Sequence, residues 1–334
     1  MKKEFNVVTG EELLNKPLRE IEFVVENLIP KGLHLLAGAP KVGKSWLALW
    51  LSLMVSKGED VWGNKVTQGT TLYLCFEDNE IRIQNRLFEI TDDAPNSVCF
   101  CTEQAKLETD LEERIRNFVS GHSDTNLIII DTLQTIRKAN VDSSYSNDYS
   151  DLLPLKKLAY ELNIAIILIH HLRKQKDSDK FNEISGSTGL QGVVDTMYVL
   201  SSDDKRSEKS TLYCIGRDIE KREIELERSE ENIWIKTNDS FNNPAFHFSD
   251  LLKTMVKFIK DKNSFCGTPT ELSALLSSYS DDKFSERIIS KHIRLHKKEL
   301  ENLGIMGDFR RSNGKRIIEL LLLSDDSDVK NHSS

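Results

Sequence analysis

The chain has 334 residues, of which 39% are hydrophobic and 29% are charged, and its formal net charge is −8. This length is typical of one large domain with a smaller second one, and the hydrophobic fraction is sufficient for compact cores. No run of 18 apolar residues occurs, so we expect neither a membrane-spanning nor a secreted protein. The five cysteines lack metal-ligand spacing, which favours free thiols and a cytoplasmic location.

The charge is distributed unevenly along the chain. Residues 251–323 carry 14 Lys and Arg against 9 Asp and Glu, a net charge of +5. Residues 324–334 carry a net charge of −2, so the remaining residues together carry −11. An acidic body joined to a basic segment indicates two functional modules, with nucleic-acid binding favoured in the basic one.

From about residue 30 to residue 200, short apolar runs alternate with longer helical patterns. Nearly continuous apolar runs are typical of parallel strands that are covered on both faces. The predicted strands are Leu33–Ala37, Thr71–Phe76, Val98–Thr102, Leu127–Ile130, Ile164–Ile169 and Thr196–Leu200. Helices between them would complete βαβ units, so we predict an α/β domain with a mostly parallel sheet and helices on both faces.

Two further strands, Thr211–Gly216 and Asn232–Lys236, are predicted to extend this sheet as an exposed antiparallel edge. The domain would therefore cover residues 1–236. Residues 237–250 contain Asn, Ser and Pro with little periodicity, and they are predicted to form a linker.

The C-terminal segment has a different pattern. It begins with a predicted helix, Leu251–Lys260, and Thr268–Glu271 form a capping box that opens a second. A third helix is predicted at Ser285–Leu303, and strands Ile305–Phe309 and Arg316–Leu323 flank an Asn-Gly turn. This order is that of a winged helix-turn-helix domain over residues 251–323, followed by a disordered tail at 324–334.

Residues 38–45 read GAPKVGKS, a complete match to the phosphate-binding loop G-x-x-x-x-G-K-[ST]. The loop follows a predicted strand and opens a helix, the context in which backbone N–H groups and the helix dipole bind phosphate. We expect Lys44 to contact the β- and γ-phosphates of ATP, and the Ser45 hydroxyl to bind Mg²⁺. The expected nucleotide contacts are Gly38, Ala39, Pro40, Lys41, Val42, Gly43, Lys44, Ser45 and Trp46.

Polar residues follow three of the predicted strands. Asp131 ends the run that starts at Leu127, a position typical of the carboxylate that holds Mg²⁺ beside the loop serine. Glu77 and Asp78 follow another strand, where a carboxylate could position the attacking water, but periodicity equally allows both acids to begin the next helix. The pair His170-His171 could sense the γ-phosphate or simply terminate a strand.

Together these segments resemble the RecA-like ATPases of the hexameric RepA-like group, which occur among plasmid and phage replicative helicases. The resemblance covers roughly residues 8–240 and includes, in order, LIPKGLHLLAGAPKVGKSWLA, LYLCFEDNE, LIIIDTL, ILIHHLRK, ISGSTGLQGVVDT and YCIGRDI. It implies a RecA-like fold, ATP and Mg²⁺ as cofactors, and a homo-oligomeric ring hexamer.

The resemblance also implies roles for individual residues. Glu77 would be the catalytic glutamate, His171, alone or with His170, the phosphate sensor, and Arg217 an arginine finger for the neighbouring subunit's site. From the residues alone, Arg217 could instead pair with Asp218. The chain differs from the group at Ile215, where a lysine often occurs, and this difference argues against a two-residue sensor.

Two basic regions are candidates for DNA binding. In RecA-like rings the loop that corresponds to Leu172–Ser185 lines the channel and contacts single-stranded DNA, although a solvated loop is equally compatible with the sequence. Its basic residues are Arg173, Lys174, Lys176 and Lys180. In the C-terminal segment a helical stripe and the hairpin would contact duplex DNA, or else form the basic face of a protein-docking module. These residues are Arg287, Lys291, Arg294, Lys298, Arg310, Arg311, Lys315 and Arg316.

The sequence therefore predicts an ATP-hydrolysing motor that acts on DNA, with a ring-forming replicative helicase of a mobile element or phage as the favoured function. A recombinase or loader ATPase without unwinding activity is one alternative. A DNA-binding regulator gated by ATP is another.

Overall fold

The computed structural model describes residues 7–15, 21–137, 145–173, 175, 177–186, 188–202, 208–240, 250–280, 284–295, 297–312 and 315–323. The chain divides into two compact units. One comprises Arg19–Asn242, and the other comprises Met1–Leu18 together with Asn243–Ser334. The sequence had assigned residues 1–18 to the first domain, so this boundary differs from the prediction.

In the described part of Arg19–Asn242, nine strands form one sheet. In chain order they are β3 (Gly32–Gly38), β4 (Thr70–Cys75), β5 (Val98–Cys101), β6 (Thr125–Asp131), β7 (Ala165–His171), β8 (Thr196–Ser201), β9 (Lys209–Gly216), β10 (Arg222–Arg228) and β11 (Trp234–Asp239). A short antiparallel pair, β1 (Phe23–Val25) and β2 (Ile29–Pro30), precedes them.

The spatial order of the sheet is β11-β10-β9-β8-β3-β7-β6-β4-β5. The six strands from β8 to β5 in this order are parallel, which confirms the α/β class with a mostly parallel sheet. The strand β3 lies between β7 and β8, and it delivers the phosphate-binding loop to the carboxyl edge of the parallel strands.

Helices cover both faces of this sheet. They are α2 (Lys44–Lys57), α3 (Glu80–Ile90), α4 (Leu111–Gly121), α5 (Leu133–Ile136), α6 (Tyr145–Leu162) and α7 (Thr188–Val193). The helix α1 (Gly10–Asn15) precedes them in the chain and belongs to the other unit. Along β6, Leu127 and Ile129 join the core under α2, whereas Ile128 and Ile130 join the core under α4 and α6. An uninterrupted apolar run is therefore what this buried strand requires.

The antiparallel edge was predicted in outline but not in detail. The sequence analysis placed no strand in the charged segment between β9 and β11, where β10 in fact pairs with both. The alternation in β10 is masked by charged neighbours: Ile224 and Leu226 are buried while Glu223 and Glu225 are exposed. The edge is thus half-buried rather than exposed, because one of its faces joins the core under α2.

The predicted linker also begins too early. The strand β11 continues to Asp239, and Asn238 and Asp239 pair with β10 rather than forming a connection. Residues 241–249 lie outside the described part of the chain.

The C-terminal unit contains α8 (Asp250–Lys262), β12 (Ser264–Gly267), α9 (Pro269–Leu276), α10 (Glu286–Leu295), α11 (Lys297–Asn302), β13 (Ile305–Ser312) and β14 (Lys315–Leu322). Thr268 caps α9 as predicted, since its hydroxyl accepts from the N–H of Glu271. The predicted third helix is described as two helices, with His296 between them outside the described residues. The strand β12 was not predicted, and it pairs with β14, so the described strands have the order β12-β14-β13.

This unit has its own apolar core. Ile289, Ile293 and Leu300, the predicted inner face of the third helix, are all buried in it. The predicted turn residues Asn313 and Gly314 and the predicted tail at 324–334 lie outside the described residues.

Candidate active site

The phosphate-binding loop connects the end of β3 to the start of α2. Gly43 is the N-cap of α2 and has φ of 102°, a left-handed conformation that favours glycine. A Cβ atom on Gly43 would lie 2.8 Å from Cζ2 of Trp234, and one on Gly38 would lie 2.8 Å from the Leu200 carbonyl oxygen. Close packing therefore favours glycine at both positions, and at Gly43 the left-handed turn favours it as well.

The Lys44 side chain binds back to the backbone of this loop. Its side chain is buried, and its Nζ donates to the carbonyl oxygens of Gly38 and Ala39 at 2.9 and 3.0 Å. Burial lowers the pKa of Lys44 to about 8, although the negative charges of Asp131 and Glu77 oppose this shift. The loop thus contains a poorly solvated cation beside the first turn of a helix, an arrangement that favours an anionic ligand.

Asp131 ends β6 next to the loop. Its Oδ2 accepts hydrogen bonds from the hydroxyls of Ser45 and Tyr73, each at 2.8 Å. Burial raises the pKa of Asp131, and the two hydroxyl hydrogen bonds partly oppose this shift. Tyr73 was not predicted as a site residue, because its role depends on β4 lying beside β6.

The oxygen atoms of Ser45 and Asp131 fit Mg²⁺, a hard cation bound through few protein ligands and completed by phosphate and water. Within the described residues no group of three or more His, Cys, Asp or Glu side chains is placed to hold a metal ion.

The two acids after β4 have different surroundings. Glu77 is exposed, and its Oε1 accepts from the Thr132 hydroxyl at 2.7 Å. Asp78 instead pairs with Arg82 and Arg86 at 2.6 and 2.5 Å. Both acids precede α3, whose N-cap is Asn79, so they are not the first-turn acids that the sequence left as an alternative. Like Tyr73, Thr132 was not predicted as a site residue, although it directly follows Asp131.

Trp46 lies on the first turn of α2. The guanidinium carbon of Arg86 is 5.6 Å from the centre of its ring, so the Asp78–Arg86 pair connects this part of the nucleotide loop to α3.

The histidine pair lies at the end of β7, in register with the start of the loop. His170 pairs with Ala37 and His171 pairs with Gly38 across the parallel ladder. The Nε2 of His170 is 2.9 Å from the Ser185 carbonyl oxygen, and burial lowers the pKa of this histidine to about 4. His171 is partly exposed.

Arg217 lies at the level where β3 begins, whereas the phosphate-binding loop follows the end of β3. It follows Gly216, which pairs with Thr196, and Thr196 is in register with His34 near the start of β3. Four residues of β3 separate this level from Gly38, roughly 13 Å at the usual rise of a strand. Arg217 therefore lies far from the phosphate-binding loop of its own chain.

The contacts of Arg217 differ from the predicted ion pair. Its side chain is 60% exposed, with Nη1 3.8 Å from Oδ1 of Asp195 and Nη2 donating to the Gly192 carbonyl oxygen at 3.2 Å. Asp195, not Asp218, is its acidic partner among the described residues. Asp195 is buried and also accepts from Lys156 at 2.7 Å, so its principal partner is that lysine.

The predicted channel loop forms local contacts. Arg173 pairs with Asp177 at 3.4 Å, and Lys180 pairs with Glu183 at 3.3 Å within a 3₁₀ helix, Lys180–Glu183. Phe181 is buried and is therefore not available to stack on a base. Lys174 and Lys176 lie outside the described residues.

Trp234 is a site residue that the sequence analysis missed. It begins β11, is buried, and its Nε1 lies 3.3 Å from the Gly43 carbonyl oxygen. Trp62 donates to the Trp234 carbonyl oxygen at 2.7 Å. The local pattern contains no signal for this contact, because 191 residues separate Trp234 from Gly43.

The basic residues of the C-terminal unit have unequal partners. Arg287 and Lys315 are exposed, Arg294 and Arg316 lie over the ring of Phe309, and Arg310 pairs with Glu319. The side chains of Lys291, Lys298 and Arg311 lie outside the described part of the chain.

No helix in the described part of the chain is long and apolar enough to cross a membrane.

The sheet and its helices are similar to those of solved structures. The ATPase domain of G40P aligns with a TM-score of 0.51 and 16% identity, covering 62% of this chain and 85% of that one. A DnaB-like replicative helicase, described with its interactions with primase, aligns with a TM-score of 0.50 and 17% identity, covering 61% of this chain and 57% of that one. These similarities show the fold, a RecA-like α/β ATPase domain.

Curated relatives are called DNA repair protein RadA. The protein from Campylobacter jejuni subsp. jejuni is 26% identical over 183 residues, 53% of this chain and 35% of that protein. The protein from Streptococcus pneumoniae is 27% identical over 173 residues, 51% of this chain and 36% of that protein. The match thus spans little more than a third of the length of these relatives.

A family model described as AAA domain matches residues 3–177. This range contains the phosphate-binding loop, Glu77, Asp131 and both histidines. The chain belongs to the AAA domain family of P-loop ATPases.

Proposed function

We propose that this protein is an ATP-hydrolysing motor that acts on DNA as a ring of identical subunits, and specifically a ring-forming replicative helicase of a mobile element or phage. The observation that carries the proposal is the separation of Arg217 from its own phosphate-binding loop. The catalytic set is incomplete within one chain, and a neighbouring subunit can complete it.

The residues of one subunit have distinct tasks in this proposal. Lys44, released from its carbonyl partners, would bind the β- and γ-phosphates. Ser45 and Asp131 would hold Mg²⁺, which when bound neutralises phosphate charge. Glu77, held by the Thr132 hydroxyl, would orient the attacking water. His171, at the level of Gly38, would respond to the γ-phosphate.

Arg217 would supply positive charge to the transferring phosphoryl group of the adjacent subunit. Its exposure supports this role, since an arginine finger must project from the surface of its own subunit. The bond to the Gly192 carbonyl oxygen and the weak pair with Asp195 hold the side chain without burying its charge.

A mixing experiment tests this proposal. Arg217→Ala and Lys44→Ala subunits should each be inactive alone. For Arg217→Ala we expect the rate of ATP hydrolysis to fall by about a thousandfold. Mixed assemblies should recover part of the ATPase activity at interfaces that pair an intact loop with an intact finger. The matched control replaces Lys44→Ala with the double variant Lys44→Ala/Arg217→Ala, which restores no such interface. Equal rates in both mixtures would contradict a role between subunits.

DNA is the proposed partner for two reasons. The RadA relatives are named DNA repair proteins, and one similar structure is named a replicative helicase. In addition, residues 251–323 carry the net charge of +5, and their helix and strand order, with the sheet β12-β14-β13, supports a winged helix-turn-helix. We propose that this unit binds duplex DNA and that single-stranded DNA passes through the channel of the ring.

The RadA relatives favour a second function, a repair or recombination ATPase that does not separate strands as a helicase does. Strand displacement on a forked substrate distinguishes the two. A helicase releases the labelled strand in an ATP-dependent reaction that Glu77→Gln abolishes. Hydrolysis stimulated by single-stranded DNA without strand release would favour the repair-type enzyme.

A further inference from the structure

The hairpin β13–β14 has two faces with different electrostatic character. Across the ladder Phe309 pairs with Ile318 and Arg311 pairs with Arg316, so Phe309, Arg316 and Ile318 share one face. This face packs on the core, where Ile318 is fully buried. Asp308, Arg310 and Glu319 belong to the opposite face.

On the core-side face, Phe309 contacts two arginines from different elements. The guanidinium carbon of Arg294, on α10, is 4.8 Å from the centre of the ring, and that of Arg316, on β14, is 5.4 Å from it. Both distances are within the range of cation–π attraction. The two guanidinium carbons are consequently at most about 10 Å apart.

Among the described side chains, the charges of Arg294 and Arg316 lack the neutralisation that Arg310 has. On the opposite face, Arg310 forms an ion pair with Glu319 and also contacts the Cys266 sulfur. Neither Arg294 nor Arg316 has a carboxylate partner among the described side chains. Two like charges held close together by one aromatic ring repel each other, and an anion that binds both removes this repulsion.

We propose that Arg294 and Arg316, organised on the ring of Phe309, form the phosphate-binding pair through which this unit holds the backbone of duplex DNA. The inference rests on the proposed DNA binding by residues 251–323 and identifies where that binding is concentrated. Phe309 is a positioning residue: it touches no phosphate and holds one guanidinium from the helix beside one from the hairpin. Contacts of this type carry affinity and register rather than base sequence.

Planar guanidinium groups suit this task, because each presents several N–H donors to phosphate oxygens in a fixed geometry. Stacking on Phe309 orders both side chains before DNA arrives, so less conformational entropy is lost on binding. Each phosphate contact releases condensed counterions and adds about 0.9 to the slope of log affinity against log salt.

The test compares three substitutions in the full-length protein with a labelled duplex at several salt concentrations. Arg294→Ala and Arg316→Ala should each weaken binding about three- to tenfold at 100 mM salt and reduce the salt slope by about one. Arg310→Ala is the matched control from the same hairpin. The sequence places Arg310 among the candidate DNA contacts, but because its charge is paired with Glu319 we now expect an affinity within twofold of the wild type. Equal losses for all three variants would overturn the inference in favour of diffuse charge.

The variant Phe309→Leu tests the positioning role of the aromatic ring separately from the charges of the two arginines. It keeps an apolar side chain of similar bulk and both arginines, so affinity should fall about threefold or more while the salt slope is retained. Thermal unfolding identifies a folding defect in this variant, in which case the arginine variants decide alone.

Duplex binding by the wild type that no variant changes would overturn this inference and leave the proposed DNA binding intact. No duplex binding by a wild-type protein that still hydrolyses ATP would overturn both, and capture of an acidic protein instead would assign the pair to protein docking.

Discussion

Glu77 and Asp78 are neighbours with the same charge, yet their partners assign them different tasks. Glu77 faces solvent beside Asp131 and accepts one hydrogen bond from a neutral hydroxyl, so its carboxylate is available to a water molecule. Asp78 is held between two arginines of α3. Ion-pair geometry thus separates a candidate catalytic acid from a structural one.

We expect Glu77→Gln to bind nucleotide normally and to lose at least a hundredfold in turnover, because the amide leaves the phosphate-binding loop intact but cannot accept a proton. Asp78→Asn should retain turnover within about fivefold, since it weakens ion pairs outside the loop. Steady-state ATPase assays with parallel measurement of nucleotide affinity check both variants. An inactive Asp78→Asn variant together with an active Glu77→Gln variant would show that Asp78, and not Glu77, is the catalytic acid.

The lowered pKa of Lys44 leads us to expect that nucleotide binding depends on pH. Its pKa of about 8 in the free protein should rise when phosphate oxygens surround the ammonium group, so binding takes up a proton above pH 8. We expect affinity to be constant below about pH 7.5 and to fall at higher pH, approaching tenfold per pH unit. Calorimetric titrations at about pH 8.5 in buffers of different ionisation enthalpy measure this uptake, and heats independent of buffer would contradict it.

The same shift has the opposite sign for the stability of the nucleotide-free fold. The unfolded chain retains the ordinary lysine pKa of 10.5, so it binds this proton more tightly than the folded protein does. The contribution of Lys44 to the free energy of unfolding therefore increases as pH rises from about 8 to 10.5.

At the scale of elements, the antiparallel edge of the sheet contributes directly to the nucleotide loop. The strand β11 brings the Trp234 ring against Gly43, and β10 holds β11 in place through a ladder with one irregularity between Glu225 and Leu226. The loop is therefore supported by a segment that lies outside residues 3–177, the range of the family match.

Trp234→Phe should destabilise the protein by about 1–2 kcal/mol through a small cavity and a lost hydrogen bond, and it should weaken nucleotide binding severalfold. It should also remove much of the change in tryptophan fluorescence that nucleotide produces. Ile235→Ala is the control, since Ile235 is exposed on the same strand and should leave all three properties unchanged. Fluorescence titration and urea unfolding provide the data, and wild-type behaviour of Trp234→Phe would show that this contact is incidental.

At the scale of the whole molecule, the two units have separate apolar cores. Residues 19–242 contain both cores of the large sheet, and the third core lies in the C-terminal unit. The net charge also divides, with +5 in residues 251–323 and an acidic remainder. Separate cores and opposite net charges favour two separate functional modules.

Removal of residues 251–334 should leave basal ATP hydrolysis within about twofold, because every proposed catalytic residue lies in the other unit. Duplex affinity should fall by at least about tenfold, and its salt dependence should become shallower. ATPase assays and duplex titrations at two salt concentrations check these outcomes. Unaltered duplex affinity in the shortened protein would end the assignment of DNA binding to the C-terminal unit.

Local sequence was sufficient for features that depend on neighbours in the chain. The run Leu127–Ile130 predicts a strand buried on both faces, the loop GAPKVGKS predicts a phosphate site between a strand and a helix, and Thr268 predicts the start of α9. Each of these rests on hydrogen bonds or periodicities within about ten residues, so the pattern is complete in the sequence itself.

The tertiary structure alone decided contacts between distant segments. The Thr132–Glu77 and Tyr73–Asp131 bonds require β4 and β6 to be adjacent, and Trp234 reaches Gly43 only because β10 is a strand. The charged residues of β10 conceal its alternation, and sequence position contains no information about which strands become neighbours. Strand order arises from the packing of whole layers, so residues that support the site through that order become visible only in the folded molecule.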